Sequence, residues 1–407
     1  MLNTPWFHSI FLAFSICLSA SASTDPAGVF PGGTWSTATP RSQGIDPAGL
    51  HKALDYLHAN APGGGTDEMV VVRNGRLIWA GPGADNVHGI YSCTKTFTST
   101  VLGVLATDRI LNVEDYAVEY LPTLDDRYPE YARIRLSHLA TMTSGYDSVM
   151  GDGWTFYRTD PARHLEHVLS YTTPGRPLFP PGTSFKYHDP AVHLLGAILT
   201  QAAGKPLQQV FKDRVADPIG MREFTWSDYG RRDGITFNNP AGTPGKGQGG
   251  VRCSPRDLAR YGLLYLNRGN WNGRQILDAS FVDKATSTQV PAELNTPYFD
   301  LTGRYGFFWW TNGLKPDGVR PWPSAPPQTF AAHGAGRNFI FVIPPWRLVV
   351  VRLSPAPPDG IDTATVTDSV WEQFFSHLKT AIEVEDPPSV AAESTHRRPS
   401  GRSVPGR

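Results

Sequence analysis

A serine and a lysine three residues apart are the first candidates for chemistry in this sequence. Ser92 and Lys95 open a segment in which Phe97, Val101 and Val104 recur at the spacing of one buried helix face. In a helix, residues at this separation lie on the same side, about one turn apart, so the lysine amine can reach the serine hydroxyl. A neutral amine there can accept the hydroxyl proton and make the serine a nucleophile. Free N–H groups of the first helical turn can stabilise an oxyanion beside it.

The Ser-x-x-Lys spacing alone does not identify an active site, because the chain contains it twice. The second copy, from Ser376 to Lys379, lies in an amphipathic C-terminal segment that is followed only by a polar tail. That setting is typical of an ordinary surface pair. Ser92 instead follows a predicted hairpin and a glycine-containing loop and opens an apolar segment suited to burial, so we predict that Ser92 is the nucleophile.

Two segments farther along the chain carry polar residues that could complete the site. Residues 179–190 contain two consecutive prolines and a glycine ahead of Tyr187 and Asp189. Proline and glycine restrict the shape of such a loop, and loops of this kind often deliver functional side chains. A His-Gly-Ala-Gly run from His333 to Gly336 follows a predicted strand.

The order and spacing of these groups resemble the serine β-lactamase and penicillin-binding-protein superfamily. The resemblance is to relatives of class C β-lactamases, among them esterases and 6-aminohexanoate-dimer hydrolases, and it extends over about residues 40–384. Three further segments resemble family segments, namely 136–146, 256–262 and 305–310. The resemblance implies an α/β (α+β) fold of the β-lactamase/transpeptidase type, in which an antiparallel sheet is flanked by helices and a helical subdomain is inserted.

The same resemblance implies a role for each candidate residue. Ser92 is expected to be acylated, Lys95 to act as its base, and Tyr187 to exchange a proton with the leaving group. The backbone N–H groups of Ser92 and Gly336 are expected to form the oxyanion hole, with Ala335 as the alternative second donor. No metal and no cofactor is implied.

Two positions depart from the family pattern, and both bear on substrate recognition. Asp189 stands where the family has the asparagine of Tyr-x-Asn, which removes an amide donor that would orient a substrate. A literal Tyr-x-Asn begins at Tyr265, which we interpret as a packed helix tyrosine. His333 stands where β-lactamases carry the lysine of Lys-Thr-Gly. With a reference pKa of roughly 6.5, it is expected to be mostly neutral at pH 7 and to attract a penicillin carboxylate less strongly.

The mechanism makes one energetic demand on the site. Lys95 and Tyr187 have reference pKa values of about 10, so one of them must be lowered by roughly three units to act as a base near pH 7. That shift corresponds to about 4 kcal/mol, which burial and a neighbouring positive charge can supply.

Helices and antiparallel strands must position these residues. A hairpin is predicted from Met69 to Ala80, because Asn-Gly at its centre is a strong turn signal. Late strands are predicted over 305–310, 329–333, 338–343 and 348–353. Helices are predicted after Asp46-Pro47, from Ser92, over 134–142 and 191–203, after Ser254, and over 363–382. Residues 110–235 are expected to form the helical insert within a domain of residues 23–385.

The composition and the two ends of the chain set further bounds. Lys plus Arg and Asp plus Glu both number 37, so nothing points to nucleic acid or to an acidic membrane surface. A short apolar run and an Ala-Ser-Ala site predict a signal peptide over 1–22, hence a secreted or periplasmic protein without a stable membrane span after cleavage. Because the leader lacks Lys and Arg, an N-terminal anchor or a misassigned start stays open. Residues 386–407 are predicted to be disordered.

Three functions remain to be weighed. The first is an exported serine esterase or amidase that acts on small molecules through an acyl-enzyme. The second is a β-lactamase or D-alanyl peptidase of the same fold, and the third is a non-catalytic ligand-binding relative. Cys93 and Cys253 are expected to be buried free thiols, and His164 and His167 are interpreted as a solvated helix face and not as metal ligands.

Overall fold

The computed structural model describes residues 29–150, 163–243, 250–294, 302–354 and 365–382. The predicted signal peptide at 1–22 and the predicted tail at 386–407 lie outside the described residues. Within the described ranges, no helix combines the length and the apolar character that crossing a bilayer requires.

The strands form one large sheet and three small ones. Their bounds are β1 Met69–Arg73, β2 Arg76–Ala80, β3 His88–Gly89, β4 Thr225–Trp226, β5 Asp228–Arg232, β6 Ile235–Asn238, β7 Val251–Cys253, β8 Asn270–Trp271, β9 Arg274–Gln275, β10 Trp310–Thr311, β11 Phe330–Gly334, β12 Asn338–Ile343 and β13 Leu348–Arg352. The large sheet has the order β10-β11-β12-β13-β1-β2, and each of its neighbouring pairs is antiparallel. The early hairpin therefore joins the late strands through β1 and β13, where Val71 pairs with Val350.

Helices cover both faces of this sheet. Their bounds are α1 Pro47–Asn60, α2 Thr94–Thr107, α3 Leu136–Ala140, α4 His164–Val168, α5 Asp189–Ala203, α6 Leu207–Phe211, α7 Asp217–Ile219, α8 Pro255–Leu266, α9 Ala279–Thr286 and α10 Asp368–Ala381. The side chains of Asp46, Ser254 and Thr367 accept hydrogen bonds from the first turns of α1, α8 and α10. Each cap satisfies an N–H group that has no partner within its helix.

Two hydrophobic cores follow from this layering. Helices α1 and α10 bury residues such as Leu54 and Phe374 against one face of the sheet, together with Phe341. The larger core on the other face includes Phe97 of α2 and Leu258 of α8. Because both faces are covered, the central strands are β-branched runs such as Val349 to Val351 and do not alternate with polar residues.

The predicted fold class is confirmed, but one predicted strand is wrong. Within residues 305–310 the backbone folds back on itself, with Gly306 N donating to Trp309 O at 2.8 Å and Phe308 at φ 62°. A Cβ on Gly306 would lie 2.3 Å from Ala285 O, so the glycine permits a close backbone approach. The side chains of Tyr305, Phe307, Phe308 and Trp309 are buried in this turn, and strand pairing begins only at Trp310.

Candidate active site

Ser92 lies in a tight turn that leads into α2. The turn is a 3-10 segment from Tyr91 to Cys93, and α2 proper begins at Thr94 and not at Ser92 as predicted. Tyr91 has φ 48°, a left-handed conformation that is strained for a bulky residue. A Cβ on Gly242 would lie 1.9 Å from Tyr91 O, so this glycine lets the loop around residue 242 pack directly against the turn.

Lys95 lies beneath the Ser92 hydroxyl and is only 1% exposed. Its Nζ donates to Ser92 Oγ at 2.9 Å and to the carbonyl oxygen of Ala241 at 2.8 Å. The Asp189 carboxylate lies 3.0 Å from the same nitrogen. The amine therefore reaches the serine, as the helical spacing predicts, and it is also held by two groups distant in sequence.

Tyr187 completes the cluster from the opposite side. Lys95 Nζ lies 5.0 Å from the centre of its ring, close enough for the phenol to act on the pKa of the amine. The ring stacks on Trp310 with the centroids 5.8 Å apart and meets the edge of Tyr305 at 6.2 Å. The two neighbouring aromatics therefore fix the orientation of the phenol.

The loop that carries Tyr187 is anchored on the family-like segment that ends at residue 146. Lys186 N donates to Met142 O at 3.0 Å, and His188 Nε2 lies 2.8 Å from Asp147 Oδ1. Burial opposes ionisation of Asp147, yet His188, the backbone N–H of Ser148 and Lys186 together outweigh burial and lower the pKa of the carboxyl group. The sequence resemblance marked the segment but not this anchor, although Asp147 directly follows the matching residues.

The surroundings of Lys95 favour its charged form, whereas a lysine that acts as a base must be neutral. Burial acts to lower the pKa of Lys95, but Asp189 and Tyr187 together outweigh burial and raise it above its ordinary value. The mechanism requires a lowered pKa at Lys95 or at Tyr187, and Lys95 does not meet this requirement because the carboxylate of Asp189 lies beside it. The same contact shows that the Asp189 carboxylate binds the lysine, while its predicted part in substrate binding stays a prediction.

His333 lies on the other face of the sheet. Alternation along β11 turns Gly334 toward the Ser92 turn, where a Cβ would lie 2.3 Å from Ile90 O. The His333 ring instead stacks on Phe339 at 4.3 Å and hydrogen bonds Thr365 at 2.9 Å. Burial lowers the pKa of His333 to about 4 against the opposing charge of Asp368, with Arg304 acting in the same direction as burial, so the imidazole is neutral at pH 7.

The predicted oxyanion-hole residues lie next to the Ser92 turn. Gly336 has φ 71°, and a Cβ there would lie 3.4 Å from the Tyr91 ring. Asn338 Nδ2 donates to Ala335 O at 2.7 Å and so holds the turn after β11 in place. The catalytic roles of Ser92, Lys95, Tyr187 and the two backbone donors stay predictions on this geometry.

The structure also tests the interpretations of two cysteines, two histidines and one tyrosine that lie outside the cluster of Ser92, Lys95 and Tyr187. Cys93 and Cys253 are buried free thiols, and burial raises the pKa of both. His164 is buried beside the Tyr229 ring, so its interpretation as solvated is wrong; the side chain of His167 is outside the described residues. Tyr265 is a packed helix residue, as predicted. In the described part of the chain, no cluster of His, Cys, Asp or Glu has the arrangement of a metal site.

Sequence reasoning missed two groups that touch the cluster. Ala241 contributes only a backbone carbonyl, 146 residues away from Lys95 in sequence, for which no side-chain signal exists. Trp310 belongs to a segment that the resemblance did include, and its aromatic character was the available signal.

Comparison with known proteins agrees with this architecture. The β-lactamase family profile matches residues 57–370. The D-alanyl-D-alanine-carboxypeptidase/endopeptidase AmpH of Escherichia coli K12 is 28% identical over 197 residues, covering 46% of this chain and 50% of AmpH. A β-lactamase of Pseudomonas fluorescens is 27% identical over 165 residues, covering 38% of this chain and 44% of that protein. The chain thus spans about half the length of the curated relatives that it matches.

Solved structures share the fold at low sequence identity. A Bacillus anthracis protein with the provisional description of 6-aminohexanoate-dimer hydrolase has a TM-score of 0.62 at 20% identity, covering 85% of this chain and 87% of its own. EstCE1, a hydrolase with promiscuous acyltransferase activity, has a TM-score of 0.60 at 19% identity, covering 83% and 99%. A penicillin-binding protein homologue from Caulobacter crescentus has a TM-score of 0.61 at 16% identity, covering 83% and 99%.

Proposed function

Because this chain belongs to the β-lactamase family, we propose that it is a serine hydrolase that cleaves ester or amide bonds of small molecules through an acyl-enzyme on Ser92. The observation that carries the proposal is the hydrogen bond of 2.9 Å between Lys95 Nζ and Ser92 Oγ, with the centre of the Tyr187 ring 5.0 Å from the same nitrogen. A nucleophile within hydrogen-bond reach of a base, with that base oriented by further groups, is the arrangement that covalent catalysis needs.

The reaction proceeds in two stages. After the Lys95–Tyr187 pair has lost one proton to solvent, it accepts the proton of Ser92 while Ser92 Oγ bonds to the substrate carbonyl carbon. The negative charge on the carbonyl oxygen is stabilised by backbone N–H groups at Ser92 and at Gly336 or Ala335. The leaving alcohol or amine takes a proton from Tyr187 as its bond to carbon breaks, and water then releases the acyl group.

The charges around the site favour a substrate without a carboxylate. The position where the family carries a lysine offers no positive charge, because the His333 side chain faces the other side of the sheet and burial lowers its pKa to about 4. Asp189 adds a negative charge next to Lys95. A penicillin-like carboxylate would meet less positive charge here than at a lysine, whereas a neutral ester or amide would lose little. The likeness to EstCE1, a hydrolase, is compatible with this choice.

A β-lactamase or D-alanyl peptidase is the second candidate, favoured by the similarity to AmpH and to the Pseudomonas fluorescens β-lactamase. A ligand-binding protein without activity is the third. Export of the protein is a further proposal, supported only by the apolar leader and the Ala-Ser-Ala site within residues 1–22.

Hydrolysis of p-nitrophenyl butyrate and of nitrocefin by the purified protein tests these candidates. We expect ester hydrolysis that Ser92→Ala abolishes, with Ser376→Ala as the matched control because it removes the serine of the second Ser-x-x-Lys. An unchanged rate in Ser92→Ala would remove the nucleophile. Nitrocefin turnover comparable to ester turnover would favour the second candidate, and loss of both activities with retained ligand binding would favour the third.

A further inference from the structure

The ion pair between Lys95 and Asp189 is the feature of the site that neither the family pattern nor the helical spacing accounts for. Asp189 is the first residue of α5, and its Oδ1 lies 3.0 Å from Lys95 Nζ. The lysine side chain is 1% exposed and the aspartate side chain 12% exposed, so water screens the pair poorly. Such a pair holds its charges more firmly than a surface ion pair does.

The contacts of Lys95 Nζ show which neighbour can decide its charge. An ammonium group has three N–H donors and no acceptor. The nitrogen has three oxygen neighbours at hydrogen-bond distance, namely Ser92 Oγ, Ala241 O and Asp189 Oδ1. The Ala241 carbonyl and the Asp189 carboxylate can only accept, whereas the Ser92 hydroxyl can also donate. An ammonium ion would donate to all three oxygens, and a neutral amine would donate to the first two and accept from Ser92. The negative charge of Asp189 at 3.0 Å is therefore what favours the ammonium form.

Asp189 is the source of the negative charge at this position. Among the described residues, the other titratable groups around the pair are Tyr187, Cys93 and Tyr305. Burial raises the pKa of Cys93 and of Tyr305, so neither carries a charge near neutral pH. The loop at Ala241 contributes only its backbone carbonyl.

We propose that Asp189 is a positioning residue that holds Lys95 as an ammonium ion on Ser92 and thereby restricts acylation to alkaline solution. The inference rests on the proposed function. Before the base can accept the proton of Ser92, Lys95 or Tyr187 must lose one proton to solvent. A negative charge at Asp189 opposes the loss from either group, and an asparagine would not.

The rate at which a fluorophosphonate probe labels Ser92 tests this inference without knowledge of the substrate. Ser92 Oγ bonds to phosphorus, fluoride leaves, and the serine proton passes to the base. We would measure the second-order rate between about pH 5 and pH 11, which spans the reference pKa values of the cluster. In Asp189→Asn the pH midpoint is expected to fall by about 1 to 3 units, the usual effect of one close charge.

Asp147→Asn is the matched control. It removes a carboxylate that contacts His188, the neighbour of Asp189, and that does not contact Lys95. It is expected to shift the midpoint by less than about half a unit, whatever its effect on the maximal rate. Circular dichroism shows whether each variant is folded. Asp189→Ala replaces Asp189→Asn if the latter unfolds, and the same fall is expected.

The outcomes separate this inference from the proposed function. Labelling of Ser92 with an unchanged or raised midpoint in the Asp189 variant overturns the role of Asp189 and leaves Ser92 as the nucleophile. Absence of labelling in the wild-type protein at every pH overturns the proposed function and this inference with it. A lower midpoint in Asp189→Asn alone supports both.

Discussion

Lys95 and His333 are both basic side chains in poorly solvated surroundings, yet their pKa values move in opposite directions. Burial lowers the pKa of His333 to about 4 and outweighs the opposing charge of Asp368, while its hydrogen-bond partner Thr365 is uncharged. Burial acts in the same sense on Lys95, but there Asp189 and Tyr187 together outweigh it and the pKa rises. Burial therefore does not predict the charge of a buried base until the charge of its partner is known.

The difference has a consequence for stability as well as for chemistry. The Lys95–Asp189 pair keeps its charges only because each neutralises the other, so the loss of one partner leaves an uncompensated charge in a poorly solvated site. His333 is already neutral at pH 7, and it lowers the stability of the folded protein only when it is protonated.

Removal of the Lys95 amine is expected to give the largest effects on activity and on stability. Lys95→Met is expected to lower kcat/KM for the ester by about 10³- to 10⁴-fold, because the proton of Ser92 loses its acceptor. It should also lower the free energy of unfolding by about 3 kcal/mol, because Asp189 is left as a buried, unpaired charge. Steady-state kinetics and urea unfolding measure the two effects.

The double variant Lys95→Met/Asp189→Asn is the control for that experiment. It is expected to recover most of the stability but none of the activity. A double variant as unstable as Lys95→Met would contradict the assignment of the lost stability to the unpaired carboxylate.

Acid should destabilise the protein through His333, the second-largest effect. The folded-state pKa of about 4 lies below the unfolded value of roughly 6.5, so the unfolded chain binds the proton first as the pH falls. This one group then removes about 2 kcal/mol of stability between roughly pH 7.5 and pH 5.

His333→Phe should remove that part of the pH dependence while it keeps an aromatic ring against Phe339. Urea unfolding of both proteins at the two pH values is the measurement. Equal acid losses in wild type and variant would show that His333 is not the titrating group.

The smallest expected effect comes from giving His333 the kind of partner that Lys95 has. Thr365→Asp places a carboxylate where a hydroxyl now lies 2.9 Å from the imidazole. It should raise the pKa of His333 and reduce its acid-induced loss of stability by about 1 kcal/mol. Thr365→Asn is the uncharged control, and an equal effect of both substitutions would attribute the change to shape and not to charge.

Local signals in the sequence predicted much of the scaffold. The hairpin of β1 and β2 follows from its Asn-Gly turn, and α1 and α8 begin at the residues that cap them. The strand predicted over 305–310 failed because an aromatic run does not reveal that Gly306 and Phe308 bend the backbone back. The signals that succeeded act within a few residues, whereas that bend depends on contacts with α9 at Ala285.

For the site, the sequence by itself determined that Lys95 reaches Ser92, because helical geometry alone brings residues three apart to one side. It could also mark Tyr187 and His333 as candidates through their resemblance to a family. Only the tertiary structure decided that Asp189 pairs with the lysine, that Ala241 lends it a carbonyl, and that His333 faces the opposite side of the sheet. The charge state of a buried group depends on which residues, distant in sequence, contact it where water is excluded. A local sequence pattern does not predict those contacts.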